Sequence, residues 1–429
     1  MKYYIETYGC QMNISDSEMI SGMIAASGGT ETLSPEEADI ILVNTCTVRN
    51  SADTRAQARI SRFKPYKKKK PSLLIIVCGC MAQRMGDGLL KKMPFIDAVV
   101  GTDQYSLIPD IVREHKGGNY SLLGQKSDYE GMSKIRGSGV NAWVTVMRGC
   151  NNFCSYCIVP HVRGREHSRS PEKIIAEINE AVENGYTEIT LLGQNVNSYK
   201  SDRFDFPALL EKINAVDGLR RIRFLTSHPK DMSDRLIDCF RNLEKLCPGI
   251  HLPVQSGSDV ILGRMNRGYT VSRYLGLVDK LRKACPDIGI TTDVIAGFPG
   301  ETENDFEKTM LLFEKVRYDA AFTFIYSPRS GTAASVMRDD VPRHIKAERL
   351  NRLINLQMRI TKEINDSFTG KTEDVLVESV SPRSPEEVTG RTGNFHNVVF
   401  KGEKDLVGRI VPIEILSSSG WALRGRHIK

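Results

Sequence analysis

Four things are scarce or missing in this chain, and each narrows what it can be. No apolar run in its 429 residues approaches the ~18 residues that a membrane-spanning helix needs, so no membrane is expected among its partners. The start, "MKYYIETYGC", has no charged-then-apolar leader pattern, which predicts a cytoplasmic protein. Disulfides are uncommon in that compartment, so the ten cysteines are expected as thiols or metal ligands. Charge of one sign is not in excess: 59 Lys+Arg against 52 Asp+Glu leaves +7, which permits an anionic partner such as RNA without demanding one. Finally, "RGCNNFCSYC" places Cys150, Cys154 and Cys157 in eight positions and then stops. A closed structural metal site usually takes four protein ligands.

The composition, 40% hydrophobic and 26% charged, is that of a globular protein, and the length suggests two to four domains. Residues 1–117 alternate strands ("KYYIETYG", "ADIILVNTC", "SLLIIVCGC", "AVVGT") with helices ("DSEMISGMIAAS", "NSADTRAQARISRF"). Short continuous apolar runs between helices are the pattern of parallel strands covered on both faces, so an open α/β sheet is predicted. Cys10, Cys46 and Cys80 each follow the end of such a strand. In a parallel sheet all strand C-termini share one edge, where such folds build their sites. Residues 118–137 are polar and glycine-rich and read as a linker. The lysines Lys67–Lys70 read either as a solvated loop or as an RNA-facing patch.

From 138 to 367 a strand-then-helix pattern repeats six times, which favours a partial parallel (β/α)6 barrel. Its first helix is well marked: Ser170 as cap, Pro171 in the first turn, Gly185 at the end, and Ile174, Ile175, Ile178 and Val182 on one face. Residues 368–429 change to short strands broken by Gly, Ser and Pro, a small all-β barrel.

The triplet Cys150, Cys154 and Cys157 follows the first barrel strand, at the end where βα-barrels assemble active sites. Closely spaced cysteines hold iron–sulfur clusters, usually four to a cluster. Three leave one iron open, the mark of a catalytic metal. Phe153 and Tyr156 are expected to keep water from the cluster. The alternative is a zinc knuckle completed by His161 or His167. For Cys10, Cys46 and Cys80 the alternative is ordinary buried thiols. Cys239, Cys247 and Cys285 match no ligand spacing and read as structural.

Cys-x3-Cys-x2-Cys above the first strand of a partial barrel resembles the radical S-adenosylmethionine (SAM) superfamily. "YGCQMN" (8–13), "VNTCTVRNSA" (43–52), "GCMAQ" (79–83), "RGREHSR" (163–169), "LLGQNVNSY" (191–199), "TSHP" (226–229), "HLPVQSGSD" (251–259), "MNRGYT" (265–270), "DVIAGFPGET" (293–302) and "YSPRSGT" (326–332) resemble methylthiotransferases over essentially the whole length. "GCQMN" is similar to the MiaB branch, which modifies adenosine 37 of tRNA. The resemblance implies an α/β domain with an auxiliary cluster (1–117), a radical SAM core (138–367) and a TRAM-type barrel that binds RNA (368–429). It implies two [4Fe–4S] clusters, one on Cys150, Cys154 and Cys157 and one on Cys10, Cys46 and Cys80. Cys80 is preferred to Cys78 because it matches the family's "GC" and lies nearer the loop. SAM, two molecules per turnover, is the implied fourth ligand of the open iron. Gln194, Asn195, Ser227, Asp293, Gly297 and Pro299 are the implied SAM contacts, although for each polar residue a structural hydrogen bond is an equal reading. The "GFPG" glycines also suit a tight strand-to-helix turn with Thr302 as cap. Arg163, Arg165 and Arg169 read as ligands of SAM's carboxylate or of RNA phosphate, or as solvated surface. The implied activity is methylthio insertion at C2 of N6-isopentenyladenosine 37 in a tRNA anticodon stem-loop, with a reductant such as flavodoxin or ferredoxin and a sulfur donor as partners. Two alternatives stand beside it: a methylthiotransferase acting on threonylcarbamoyl-adenosine or ribosomal protein S12, and a non-catalytic iron–sulfur protein that binds RNA or passes electrons.

Overall fold

A computed structural model describes residues 1–47, 50–114, 118–124, 134–137 and 139–428. Val48 and Arg49 of the "VNTCTVRNSA" motif, residues 125–133 of the expected linker, and Lys429 lie outside the described residues. The chain falls into two compact units, one of residues 1–137, 148–151 and 157–169, the other of 138–147, 152–156 and 170–429.

The first unit is built on six parallel strands: β1 (Lys2–Thr7), β2 (Thr30–Glu31), β3 (Ile40–Thr45), β4 (Leu74–Gly79), β5 (Ala98–Val100) and β6 (Tyr120–Leu122), in the order β2-β1-β3-β4-β5-β6. Alternate residues of β3 and β4 serve opposite cores. Ile40, Leu42, Leu74 and Ile76 pack with Met19, Ile20 and Ile24 of one helix, and Ile41, Val43, Ile75 and Val77 pack with Ala56, Ile60, Leu89 and Leu90 on the other face. Two-sided burial is why these strands read as unbroken apolar runs. Tyr120–Leu122, within the segment expected as a linker, instead pairs in parallel with β5.

The lysine run is neither a loop nor a free patch. Residues Lys64–Lys69 form a helix; Lys67 Nζ donates to both Asp97 carboxylate oxygens at 2.7 and 2.8 Å, and Lys70 pairs with Asp39 at 2.5 Å. Lys68 and Lys69 are exposed, and Lys67 and Lys70 are half-buried.

The second unit carries six parallel strands in chain order. Asn141–Thr145, Glu188–Leu192 and Arg221–Phe224 form one sheet, and Gly249–His251, Gly289–Ala296 and Ala320–Ile325 another. A parallel bridge between Ile222 and Leu246 continues the curve from the first to the second, as the partial barrel requires. Ser170 accepts from Lys173 N at 3.3 Å and caps the first helix, Pro171–Glu183, which buries Ile174 and Ile178 against the barrel and half-buries Ile175 and Val182.

The C-terminal barrel closes with five strands. Its second, Glu387–Arg391, carries Gly390 within the strand. That glycine is a packing requirement: a Cβ there would sit 2.2 Å from the Leu376 carbonyl oxygen of the neighbouring strand. The small barrel docks on the N-terminal ends of the parallel strands. Arg221 donates to the carbonyls of Asp374 and Arg391. Arg223, ion-paired with Glu188 at 2.9 Å, donates to those of Thr392 and Gly393. The loops at the strands' C-terminal ends are left for chemistry.

Among the described residues no helix is long and apolar enough to cross a membrane.

Candidate active site: two sets of three cysteines

Strand register gathers the first set. β1, β3 and β4 are neighbours, with Thr7 opposite Asn44 and Thr45 opposite Gly79, so Cys10, Cys46 and Cys80 leave the sheet along one edge. Two glycines let the turns close up. Gly9 has φ +142°, and a Cβ on it would lie 2.7 Å from Cys46 Cβ and 2.5 Å from Asn13 Oδ1. Gly79 has φ +94°, and a Cβ there would lie 2.4 Å from both Asn44 Oδ1 and the Thr45 carbonyl oxygen. Buried amides then lock the turns together: Asn13 Nδ2 donates to Asn44 Oδ1 at 3.0 Å, and Asn44 Nδ2 donates back to the Asn13 carbonyl at 2.9 Å. This gives the final Asn of "GCQMN" a physical role. Cys10 is exposed at the start of the helix Gln11–Ala26, and Cys46 and Cys80 are buried.

Cys78 and Cys80 are separated by strand geometry. Cys78 lies inside β4 in the apolar core, where burial pushes its thiol far up. Cys80 opens the next helix. Burial also raises its thiol, but the nearby Arg163 guanidinium pulls the other way.

Arg163 is a correction to the sequence reading. It is neither surface nor positioned as a free phosphate ligand: it is buried, with Nε 3.2 Å from Cys80 Sγ and Nη1 2.8 Å from Asp16. Arg165 is exposed and Arg169 half-buried. His161 and His167, the zinc-knuckle candidates, are both exposed.

In the second set, Cys150 and Cys154 are buried and Cys157 is half-buried. Gly149 has φ +74°, and a Cβ on it would lie 2.0 Å from the Arg165 carbonyl oxygen; Cys150 N donates to the Gly164 carbonyl at 3.1 Å. "MNRGYT" clamps the segment around Cys154. Ser155 N donates to Met265 O, Asn266 Nδ2 to Phe153 O at 2.8 Å, and the buried Arg267 places Nη1 3.3 Å from Cys154 Sγ while its Nη2 donates to Pro253 O. Tyr156 packs edge-on to Phe298, but Phe153, expected as a shield, is 42% exposed. Among the described residues, no three Cys, His, Asp or Glu side chains are already closed to ion-holding distance.

The six expected SAM contacts all lie at or beyond C-terminal strand ends of the second unit, except Asp293, which sits within its strand. Asn195 is buried, donating Nδ2 to Asp231 at 2.8 Å, while its Oδ1 has no hydrogen-bond partner among the described residues. Ser227 Oγ is likewise buried and, among the described residues, unpartnered. It follows Thr226, a β-branched residue at φ +64°, a conformation that costs ~1–3 kcal/mol and concentrates at functional sites. Asp293 lies 3.3 Å from His251 Nε2. Gly297 and Pro299 form a tight turn whose polar groups are already engaged: Gly297 N donates to Glu301, and the Pro299 carbonyl accepts from Arg264. The cap at Thr302 is a full capping box with Asp305.

Arg267 and Phe322 escaped sequence reasoning. Phe322 lies directly beside Asp293 across the parallel strands, 5.9 Å from the His251 ring, and is 57% exposed. An aromatic on an apolar strand reads as core; only a barrel that stays open leaves it uncovered.

The chain matches the uncharacterized protein family UPF0004 over residues 2–101, the radical SAM superfamily over 144–313 and the TRAM domain over 366–428. It is similar in fold to the radical S-adenosylmethionine methyltransferase TsrM from Kitasatospora setae (TM-score 0.59, 12% identity, 78% of this chain and 74% of that one). It is 46% identical over 422 residues to tRNA-2-methylthio-N(6)-dimethylallyladenosine synthase from Syntrophotalea carbinolica, covering 96% of each chain. It is 47% identical over 436 residues to the protein of that name from Thermoanaerobacter sp., covering 100% of this chain and 93% of the relative. The radical SAM superfamily implies a [4Fe–4S] cluster and SAM, and the chain belongs to the family of tRNA-2-methylthio-N(6)-dimethylallyladenosine synthases.

Proposed function

We infer that this protein replaces the hydrogen at C2 of N6-isopentenyladenosine 37 in tRNA with a methylthio group, using two SAM molecules per turnover. Cys150, Cys154 and Cys157 hold one [4Fe–4S] cluster, with SAM as the ligand of its open iron. Cys10, Cys46 and Cys80 hold a second. The observation that carries this reading is the edge shared by β1, β3 and β4. Three cysteines from distant parts of the sequence leave adjacent strands there, through turns that only Gly9 and Gly79 permit. A donor set of three thiols suits a cluster with one exchangeable position.

When bound, the clusters and SAM supply hydrogen abstraction at an unactivated carbon and a sulfur to put in its place, chemistry that side chains lack. The chain's own residues bind and orient. Arg267 fixes the segment carrying Cys154. Asn195 Oδ1 and Ser227 Oγ, buried without partners among the described residues, accept or donate to SAM's amino and ribose groups, since a buried polar atom left unpaired costs ~1–3 kcal/mol. Gln194, Asp293, Gly297 and Pro299 complete that pocket. Phe322, beside the His251–Asp293 pair, offers a flat face to a base turned out of the anticodon loop. The small barrel, with exposed Trp421 and the exposed arginines Arg424 and Arg426, grips the RNA backbone. A reductant such as flavodoxin or ferredoxin delivers electrons, a sulfur donor renews the sulfur, and the setting is the cytoplasm.

The test is anaerobic reconstitution of wild type and of a Cys150/Cys154/Cys157→Ala variant. About eight irons per chain falling to about four, with loss of SAM cleavage, is expected of two clusters each held by three cysteines. Four falling to none would remove the auxiliary cluster from the account.

A further inference from the structure

The short helix Val159–Arg163 packs against the helix Cys80–Met85 through Ile158, Val162 and Cys80. It is pinned by Thr102, whose hydroxyl donates to the Val162 carbonyl at 2.6 Å. Arg163 ends that helix with its guanidinium buried. Nε donates toward Cys80 Sγ at 3.2 Å, and Nη1 is 2.8 Å from Asp16, a carboxylate with no solvent exposure. Both Nη1, for all its closeness to Asp16, and Nη2 are buried without a hydrogen-bond partner among the described residues. Asp16 also receives Arg148 at 2.8 Å and the Tyr105 hydroxyl at 3.4 Å. Asp103 lies in the same field, its carboxyl raised by desolvation against the pull of Arg148 and Arg163. Two arginines thus share Asp16, and one of them, Arg163, also touches Cys80 of the auxiliary set.

A buried cation is strongly destabilising unless it is paired and its N–H groups are satisfied. Asp16 supplies the charge pairing and Cys80 one acceptor, but among the described residues Nη1 and Nη2 still lack hydrogen-bond acceptors. A cluster held on Cys10, Cys46 and Cys80 supplies acceptors of the right kind, since its sulfurs are anionic and take hydrogen bonds. Hydrogen bonds to cluster sulfur and nearby positive charge both favour the reduced form.

We propose that Arg163 is a positioning residue of the auxiliary site: fixed on Asp16, it donates to Cys80 Sγ and to sulfur of the group bound there, holding that group and making it easier to reduce. The proposal rests on the reading that Cys10, Cys46 and Cys80 bind a cluster. Its experiment starts from the Cys150/Cys154/Cys157→Ala chain, in which any iron belongs to that set. Iron and sulfide per chain and the midpoint potential, followed by electron paramagnetic resonance during redox titration, are compared with Arg163→Gln and Arg163→Lys in the same background. If the parent variant binds no iron, the auxiliary-cluster reading fails before Arg163 is tested. If it binds about four irons, Arg163→Gln is expected to lower the midpoint. A tenfold loss in the reduced-to-oxidised ratio at fixed potential corresponds to about 59 mV. Arg163→Lys, which keeps the charge but not the fork of donors, is expected to fall between. Loss of iron in Arg163→Gln with unchanged circular dichroism and retention in Arg163→Lys also supports the proposal. Should Arg163→Gln fail to fold, Arg163→Lys is read alone, and a lowered midpoint supports the role. An unchanged midpoint with full iron content, in whichever variant is read, overturns it.

Discussion

Gly79→Ala isolates the auxiliary edge better than removing a cysteine, because it leaves every ligand in place. At φ +94° a non-glycine residue costs ~1–3 kcal/mol in backbone strain. The added Cβ would also lie 2.4 Å from Asn44 Oδ1, 2.4 Å from Thr45 O and 2.8 Å from Thr45 N. Two of these are backbone atoms of β3 and cannot swing aside, so the ends of β3 and β4 must separate. Overpacking of this sort adds ~1–3 kcal/mol, for a total of roughly 2–6 kcal/mol. The strain falls between Cys46 and Cys80 and far in sequence from Cys150, Cys154 and Cys157. After anaerobic reconstitution, iron should drop from about eight to about four per chain. SAM cleavage should persist and methylthio product should vanish. Gly88→Ala, in the helix Asp87–Lys92 with nothing within 4 Å of the added Cβ, is the control and should be neutral or gain up to ~1 kcal/mol. Full iron content and product formation in Gly79→Ala would refute the reasoning.

Ser227→Ala removes a buried hydroxyl that has no hydrogen-bond partner among the described residues, so the ligand-free protein should be unchanged or gain up to ~1–3 kcal/mol while the SAM dissociation constant rises roughly 5- to 10-fold; calorimetry with an unchanged constant would contradict the contact. Arg223→Met leaves Glu188 buried without its partner and removes two bonds to the small barrel, a loss of ~3–5 kcal/mol that should appear in urea unfolding and as easier proteolytic release of that barrel. His228 is held neutral by burial and by the nearby Arg267 and Lys230 charges, its pKa lowered from 6.5 to about 2. The unfolded chain therefore binds more protons between those values, and stability should fall by ~1.4 kcal/mol per pH unit as pH drops below 6.5. His228→Asn should flatten that slope in urea midpoints measured across it.

The three-part architecture was legible because each part writes a different period into the chain. Buried parallel strands appear as apolar runs, amphipathic helices as faces such as Ile174 and Ile178, and the small barrel as short alternations. Strand ends then located Cys10, Cys46 and Cys80 on one edge. Contacts made at long sequence separation were not legible. Arg163 reads as one of three arginines in a basic motif, and only the fold reveals Asp16 and Cys80 around it. Lys67 and Lys70 read as a charge run until Asp97 and Asp39 arrive from other strand ends. Gly390 reads as a break because its constraint, the Leu376 carbonyl, belongs to another strand.

The most direct test gives the reconstituted protein SAM, a reductant and one of two anticodon stem-loops, bearing either adenosine or N6-isopentenyladenosine at position 37. Nucleosides are then read by mass spectrometry. The account predicts a gain of one CH2S unit on the isopentenylated nucleoside, at C2, and none on plain adenosine. SAM cleavage with no change to either RNA, or equal modification of both, would contradict it.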